Sequence, residues 1–294
     1  MPEIVILSGK GGTGKTSLTA AFAHLAGNKI LCDLDVDAPD LHLILKPETI
    51  RTEEFFSGNE AVIHREVCTG CGICRDMCRY GAINEEKGAF SVNPLQCEGC
   101  KVCVHFCPVG AVEFPQRHCG QWYVSETRFG PMVHARLFPG QENSGKLVTL
   151  LKRRAKEIAR DRGQDLILCD GAPGIGCPVI SSLAGATLAV AVTEPTPSGR
   201  HDLERVLSLC NHFRLPAGVI VNKWDINKEQ TGRIEELCEA GGIRLLGRLP
   251  HDPVVTGAMV RGLAVTEFDP GGFGKHVERA FDETMSMALV SKAA

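Results

Sequence analysis

Short, nearly continuous apolar runs alternate along this chain with longer helix-compatible stretches. The runs are Glu3–Ser8 (EIVILS), Lys29–Cys32 (KILC), Asp165–Asp170 (DLILCD), Thr187–Val192 (TLAVAV), Ala217–Val221 (AGVIV) and Leu245–Leu249 (LLGRL). Runs this short, rich in β-branched residues and lacking polar alternation, predict strands buried on both faces. Between them lie stretches that predict helices: 17–25, ended by Gly27; 147–162; a run from about Arg200; and 275–290. Strands separated by helices predict an α/β fold, with a parallel sheet covered on both faces.

The alternation breaks in the middle of the chain. Residues 48–60 are polar and acidic, with Gly58-Asn59 predicting a turn. Residues 61–117 are rich in cysteine, and strand-like text returns at 121–125 and 131–135. The expected organisation is a discontinuous domain over 1–60 and 118–294, with a small domain inserted at 61–117. Lys and Arg total 32 against 35 Asp and Glu, which leaves no global footprint for nucleic acid. No apolar run approaches the roughly 20 residues needed to span a bilayer. The chain enters its first strand without a leader-like segment, so a cytoplasmic location is expected, where thiols stay reduced. Fourteen cysteines there point to metal rather than disulfides.

Between the first strand and the first helix stands Gly9-Lys10-Gly11-Gly12-Thr13-Gly14-Lys15-Thr16, followed by Ser17. A G-x-x-x-x-G-K-[ST] loop in strand–loop–helix context is a phosphate-binding loop. Its glycines let successive N–H groups and the helix N-terminus point at one anion. Lys15 is expected to neutralise the β- and γ-phosphates, and the Thr16 hydroxyl to ligate Mg²⁺. The apolar strand ending at Asp170 delivers a carboxylate toward the same loop, the Walker B arrangement for Mg²⁺. Gly171 and Gly174 then read as hinges of a nucleotide-sensing switch. Asn222-Lys223-Trp224-Asp225 matches the N-K-x-D motif with which GTPases read guanine.

Eight cysteines form two runs of C-x2-C-x2-C-x3-C: Cys68, Cys71, Cys74, Cys78, and Cys97, Cys100, Cys103, Cys107, the second followed by Pro108. This is the bacterial ferredoxin pattern, in which three thiolates of a run hold one cubane and the fourth reaches the other cluster. Cys68, Cys71, Cys74 and Cys107 are thus expected on one [4Fe-4S] cluster, and Cys97, Cys100, Cys103 and Cys78 on the second. Arg79 stands where the pattern has proline, and the segments 79–83 and 108–112 repeat each other. Zinc favours paired C-x2-C motifs with a longer gap. His118-Cys119 is a weaker metal candidate than a structural pair. The helix from Leu147 carries seven Lys/Arg against two acids between 146 and 162, read as a solvated face or a docking site for an acidic protein. Ser144 or Asn143 would cap it.

With Lys10 second in the loop, G-K-G-G-x-G-K-T resembles the deviant Walker A of the MinD-like ATPases, which include the Mrp-type carriers and the nitrogenase iron protein. Over its full length the chain resembles members of that superfamily with an inserted two-cluster ferredoxin. The resemblance implies a parallel-sheet P-loop NTPase domain, an ATP-dependent homodimer in which Lys10 reaches the partner's phosphates, and ATP hydrolysis. It also implies that Asp33-Leu-Asp35-Val-Asp37 is a switch I whose aspartates orient water and the Mg²⁺ shell. Asp33 and Asp37 are the first candidates, with Asp35 third and Asp40 as a helix cap. The family keeps the asparagine of N-K-x-D yet binds adenine, so ATP is favoured over GTP, with Asn222, Lys223, Asp225, Pro250 and Asp252 flanking the base. Cys177 sits where the iron protein has a bridging cysteine, but Glu142 stands where its second would fall, and the C-P-x-C of Mrp-type carriers is absent. The final helix carries Glu278, Asp282 and Glu283, unlike a basic membrane anchor. The expected function is a switch coupling ATP to electron transfer with a redox partner. The alternative is an assembly, positioning or iron–sulfur maturation factor, with an apo-protein as partner, whose clusters are structural or sensory.

Overall fold

The computed structural model describes residues 1–141 and 144–293. Its elements begin β1 (Glu3–Ser8), α1 (Lys15–Leu25), β2 (Lys29–Asp33), α2 (Leu41–Leu45) and β3 (Glu48–Asn59). The cysteine-rich part follows as β4 (Val62–Ile63), α3 (Ile73–Asp76), β5 (Ile83–Glu86), β6 (Ala89–Val92), α4 (Val102–His105) and β7 (Val112–Glu113). Then come β8 (Gln116–Thr127), β9 (Gly130–Leu137), α5 (Ser144–Asp161), β10 (Leu166–Pro173), α6 (Cys177–Leu183), β11 (Leu188–Thr193) and α7 (Pro197–His212). The chain continues through β12 (Ala217–Asn222), α8 (Lys228–Ala240), β13 (Arg244–Leu249), α9 (Pro253–Arg261), α10 (Val265–Phe268) and α11 (Phe273–Ala293).

Two compact units result. The larger holds Met1–Glu53, Trp122–Arg136 and Ser144–Ala294; the smaller holds Glu54–Gln121 and Leu137–Asn143. The boundary falls inside β3, β8 and β9.

The larger unit is built on a sheet of order β13-β12-β11-β1-β10-β2-β9-β8-β3. From β13 to β9 the pairings are parallel. The apolar runs fill its centre: Ile4, Val5, Ile6, Leu7, Val190 and Ile220 are 0–1% exposed. Phe22 of α1 meets Phe281 of α11 edge-on at 5.2 Å, closing one face. The chain leaves β1 for β2 on one side, returns to β10 between them, and crosses to β11 on the other side. The carboxyl ends of β1 and β10 therefore flank a topological switch point, where open parallel sheets bind ligands.

Four expectations are corrected here. Residues 48–59 form a strand rather than a loop with a turn at Gly58-Asn59. Phe55 and Ser57 are buried while Glu54, Phe56 and Gly58 are exposed, a two-residue alternation masked by the charges around it. Helix α7 starts at Pro197, because Thr196 caps it by accepting from Gly199 N at 2.9 Å and proline suits the first turn. Asp40 sits at the N-cap of α2 but makes no side-chain cap bond. Gly171 lies inside β10 and is no hinge: a Cβ there would stand 2.9 Å from Ile6 O, so glycine lets β10 close on β1. Asn143 and Glu142 lie outside the described residues, and α5 begins at Ser144.

The smaller unit has two short antiparallel ladders, β4 with β7 and β5 with β6. Cys74, Ile83 and Phe90 form its buried centre. Its two cysteine loops repeat one backbone course. Gly70 and Gly72 have φ of 71° and 77°, and the matching Gly99 and Lys101 have 61° and 65°. Gly81 and Gly110, again equivalent, have 62° and 66°. Among the described residues, no helix is long and apolar enough to cross a membrane.

Candidate functional sites

Residues 9–14 loop from the end of β1 to the start of α1. Gly12 and Gly14 take φ of 79° and 89°, and Gly14 occupies the N-cap of α1. A Cβ on Gly14 would lie 2.4 Å from Asn222 Nδ2, which donates to Thr13 O at 2.8 Å and braces the loop from β12. Gly9 is equally confined, since its Cβ would lie 2.3 Å from Asp202 Cβ.

Below the loop, Asp170 is fully buried and gathers three donors. Lys15 Nζ donates to Oδ1 at 2.9 Å, Thr19 Oγ1 to Oδ1 at 2.9 Å, and Thr16 Oγ1 to Oδ2 at 2.8 Å. Lys15 also lies 3.4 Å from Asp35 Oδ2. Burial alone would lower the Lys15 pKa, but Asp170 and Asp35 outweigh it and hold the ammonium above its ordinary value. Asp33, in register with Asp170 on β2, is 1% exposed. Its Oδ1 accepts from Asp35 N at 3.1 Å, while Oδ2 has no hydrogen-bond partner. Burial, then the Asp170 charge, push its carboxyl well above the usual range.

A cavity of about 450 Å³ opens over the loop. That is within the span of small-molecule sites, roughly 300–1,000 Å³. Gly11, Gly12, Thr13, Gly14, Lys15, Thr16 and Ser17 form one wall, and Asn222, Lys223, Pro250 and Asp252 line it from the β12 and β13 ends. Of the four aspartates between 33 and 40 only Asp35 and Asp40 line it; Asp33 is sealed beneath and Asp37 is exposed. Asp35, the third candidate under the resemblance, is the one of the three that lines the cavity beside Lys15. Asp225 does not line the cavity, and its Oδ1 accepts from His251 N at 2.7 Å. Asp252 caps α9, accepting from Val254 N at 2.9 Å.

Lys10 folds back on its own chain. Its Nζ lies 2.6 Å from Glu194 Oε1 and donates to Ser198 Oγ at 3.2 Å. Lys223 Nζ reaches the other Glu194 oxygen at 3.4 Å. Burial would raise the Glu194 carboxyl, but the two lysines hold it below its usual value. Sequence reasoning missed Glu194, Thr19 and the α9 wall of Val255, Thr256 and Met259. Thr19 was findable one turn past Lys15 on the same helix; the others carry no motif.

In the smaller unit, Cys78, Cys97, Cys100 and Cys103 line one cavity, together with Tyr80, Ile83 and Phe114. Cys68 and Cys71 lie within electrostatic reach of Cys74, as Cys97 and Cys100 do of Cys103. Ala82 N donates to Cys78 Sγ at 3.4 Å, and Ala111 N to Cys107 Sγ at 3.2 Å. Among the described residues, no three His, Cys, Asp or Glu side chains converge on one metal ion. His118 and Cys119 point to opposite faces of β8. His118 is exposed beside Phe56 and Phe138, while Cys119 is buried and donates to Ser57 O at 3.1 Å. Cys177 is exposed at the first position of α6.

A parallel sheet with a glycine loop cradling a cavity at its switch point defines a P-loop nucleotide-binding protein. The family described as CobQ/CobB/MinD/ParA nucleotide binding domain matches residues 4–265, and the chain belongs to it. Its fold is that of the MinD/ParA ATPases. The uncharacterized protein MJ0578 of Methanocaldococcus jannaschii is 37% identical over 234 residues, covering 76% of this chain and 79% of that one. MJ0579 of the same organism is 26% identical over 79% of this chain and 84% of its own length. Among solved structures, the septum site-determining protein MinD complexed with Mg-ADP from Pyrococcus horikoshii matches with a TM-score of 0.58 at 17% identity, over 99% of this chain and 98% of that one. The cell division ATPase MinD of Pyrococcus furiosus gives 0.57 at 17%, over 97% and 99%.

Proposed function

We propose that this protein is an ATP-hydrolysing, dimerising switch that carries two [4Fe-4S] clusters and couples nucleotide state to electron transfer with a protein partner. The observation that carries the reading is that one chain holds a formed phosphate loop and a cavity with Cys78, Cys97, Cys100 and Cys103 in its lining. Those four thiols are the set that crossed ferredoxin ligation assigns to one cubane.

The residues fit both groups. Thr16 and Asp170 would hold Mg²⁺, which would neutralise charge on the β- and γ-phosphates. Lys15 exchanges its contacts with Asp170 and Asp35 for phosphate oxygens when the triphosphate enters. Asp35, at the cavity wall, is then free to orient the attacking water. Asn222 keeps the loop in shape by holding Thr13 O. As the loop resembles a deviant Walker A, Lys10 leaves Glu194 to meet the phosphates of a second copy, a charge supplied in trans as by an arginine finger. The cavity favours ATP over GTP because Asp225 is turned to the His251 amide.

In the smaller unit, read as a ferredoxin-like insertion over 61–117, Cys78, Cys97, Cys100 and Cys103 would hold one cluster. Ala82 N and Ala111 N, which donate to Cys78 Sγ and Cys107 Sγ, would stabilise thiolate charge on a bound cluster. Bound clusters would accept and release single electrons.

A second reading is favoured by Cys74 lying in the buried centre of the smaller unit beside Ile83 and Phe90. The clusters would then be structural, and the protein a positioning or assembly ATPase. Anaerobic purification with iron, sulfide and ATPase assays tests both. About eight irons per chain, with hydrolysis abolished by Lys15→Ala, supports the proposal. Iron-free protein with full ATPase activity defeats it. If cluster reduction leaves hydrolysis and dimerisation untouched, the second reading stands.

A further inference from the structure

Positive charge in this chain is concentrated on one helix. Between 146 and 162 seven Lys/Arg face two acids, whereas the whole chain has 32 against 35. Part of that charge is structural. Lys152, 5% exposed, donates to Ser182 O and to Ala184 O and lies 2.7 Å from Glu3, so it fastens α5 to α6 and β1. Lys156 adds a second contact to Glu3 at 2.8 Å yet stays 46% exposed.

What remains faces outward. Thr149, Lys152, Arg153, Lys156, Glu157 and Arg160 line the α5 wall of a groove of about 330 Å³ whose α6 side is Ser181 and Ala184. Arg153 and Arg160 are 64% and 77% exposed, and their nearest acids are only 3.9 Å and 3.4 Å away, on their own helix. Arg153, Lys156 and Arg160 stand at i, i+3 and i+7, one stripe down the helix. The α6 wall begins directly after the Gly174 loop that follows Asp170.

We propose that the α5–α6 groove docks an acidic segment of a partner protein. The stripe repeats at helical spacing, so carboxylates at i and i+7 on a partner helix would meet Arg153 and Arg160, with Lys156 between them already held by Glu3. The site is concave and short, with Glu157 set within it, and the chain is acidic overall with a sequence pI of about 6.4. A duplex would need a longer basic track on a basic domain. Such a patch raises association rate and selects partners by charge.

The test is fluorescence anisotropy of labelled decaglutamate with the full-length protein, without nucleotide, at low and moderate salt. A 20-base-pair duplex DNA serves as competitor. The proposal expects salt-sensitive decaglutamate binding that weakens about tenfold in Arg153→Glu/Arg160→Glu. It expects an intermediate loss in Arg153→Gln/Arg160→Gln and no change in Arg233→Glu on α8. Equal binding by wild type and the charge-reversed variant, or none by wild type, overturns it. So does duplex DNA binding more tightly than the peptide and being lost in the same variant. Both substituted arginines are exposed, and circular dichroism melts of the variants check that they fold. Any dependence on ATP rests on the proposed function and is read in a separate titration, so the docking result stands apart from it.

Discussion

Asp33 is a buried carboxyl with one oxygen unpartnered, beside the buried Asp170, and that placement sets its pH response. Its folded pKa lies well above 3.8, first through burial and then through Asp170. A carboxyl that keeps its proton when folded contributes stability in acid and loses it as pH rises from the unfolded value through the folded one. Asp33→Asn is therefore expected to raise the melting temperature of the nucleotide-free protein, with a gain that grows from pH 6 to pH 8.5. The gain is on the order of 1–3 kcal/mol, the cost of an unsatisfied buried polar group. A gain that is the same at every pH contradicts this. Lys15 and Lys10 separate by role: Lys15→Ala is expected to cost about 100-fold or more in hydrolysis together with nucleotide affinity. Lys10→Ala should leave monomer affinity within a few-fold while hydrolysis falls on the order of 10³-fold. Equilibrium nucleotide binding and turnover assays distinguish them.

The elements show why some features were legible in the sequence and others were not. The glycine loop and the glycines of the two cysteine runs are legible because positive φ admits few residue types, and the strand carrying Asp170 because its run is apolar. Gly12, Gly14, Gly70 and Gly99 all sit at positive φ. Strand β3 was hidden, because its outer residues are charged and only Phe55 and Ser57 carry the alternation. The order of the switch aspartates was hidden too, since spacing alone does not say that β2 carries Asp33 under the sheet end while Asp35 emerges into the cavity. Gly171 read as a hinge because a glycine after Asp170 suits a switch equally well; only the approach of Ile6 O shows its packing role. Gly171→Ala is accordingly expected to destabilise by about 1–3 kcal/mol, the usual cost of overpacking. Denaturant midpoints measure this, and an unchanged midpoint counts against close packing of β10 on β1.

Taken whole, the proposed switch requires two chemistries in one chain. Crossed ligation makes a specific demand: Cys78→Ser and Cys97→Ser should perturb the same cluster, although the residues lie in different cysteine runs. Anaerobic electron paramagnetic resonance of the reduced variants should show one altered signal in both, with the second cluster's signal kept. Different clusters perturbed by the two variants would rule out the crossed assignment. The most direct measurement of the central claim is a redox titration of the reconstituted protein, followed by that resonance, with Mg-ADP and with a non-hydrolysable ATP analogue. The midpoint potential of at least one cluster is expected to differ between the two nucleotide states, and Lys15→Ala to abolish the difference. Identical potentials in both states, or no cluster signal at all, would contradict it.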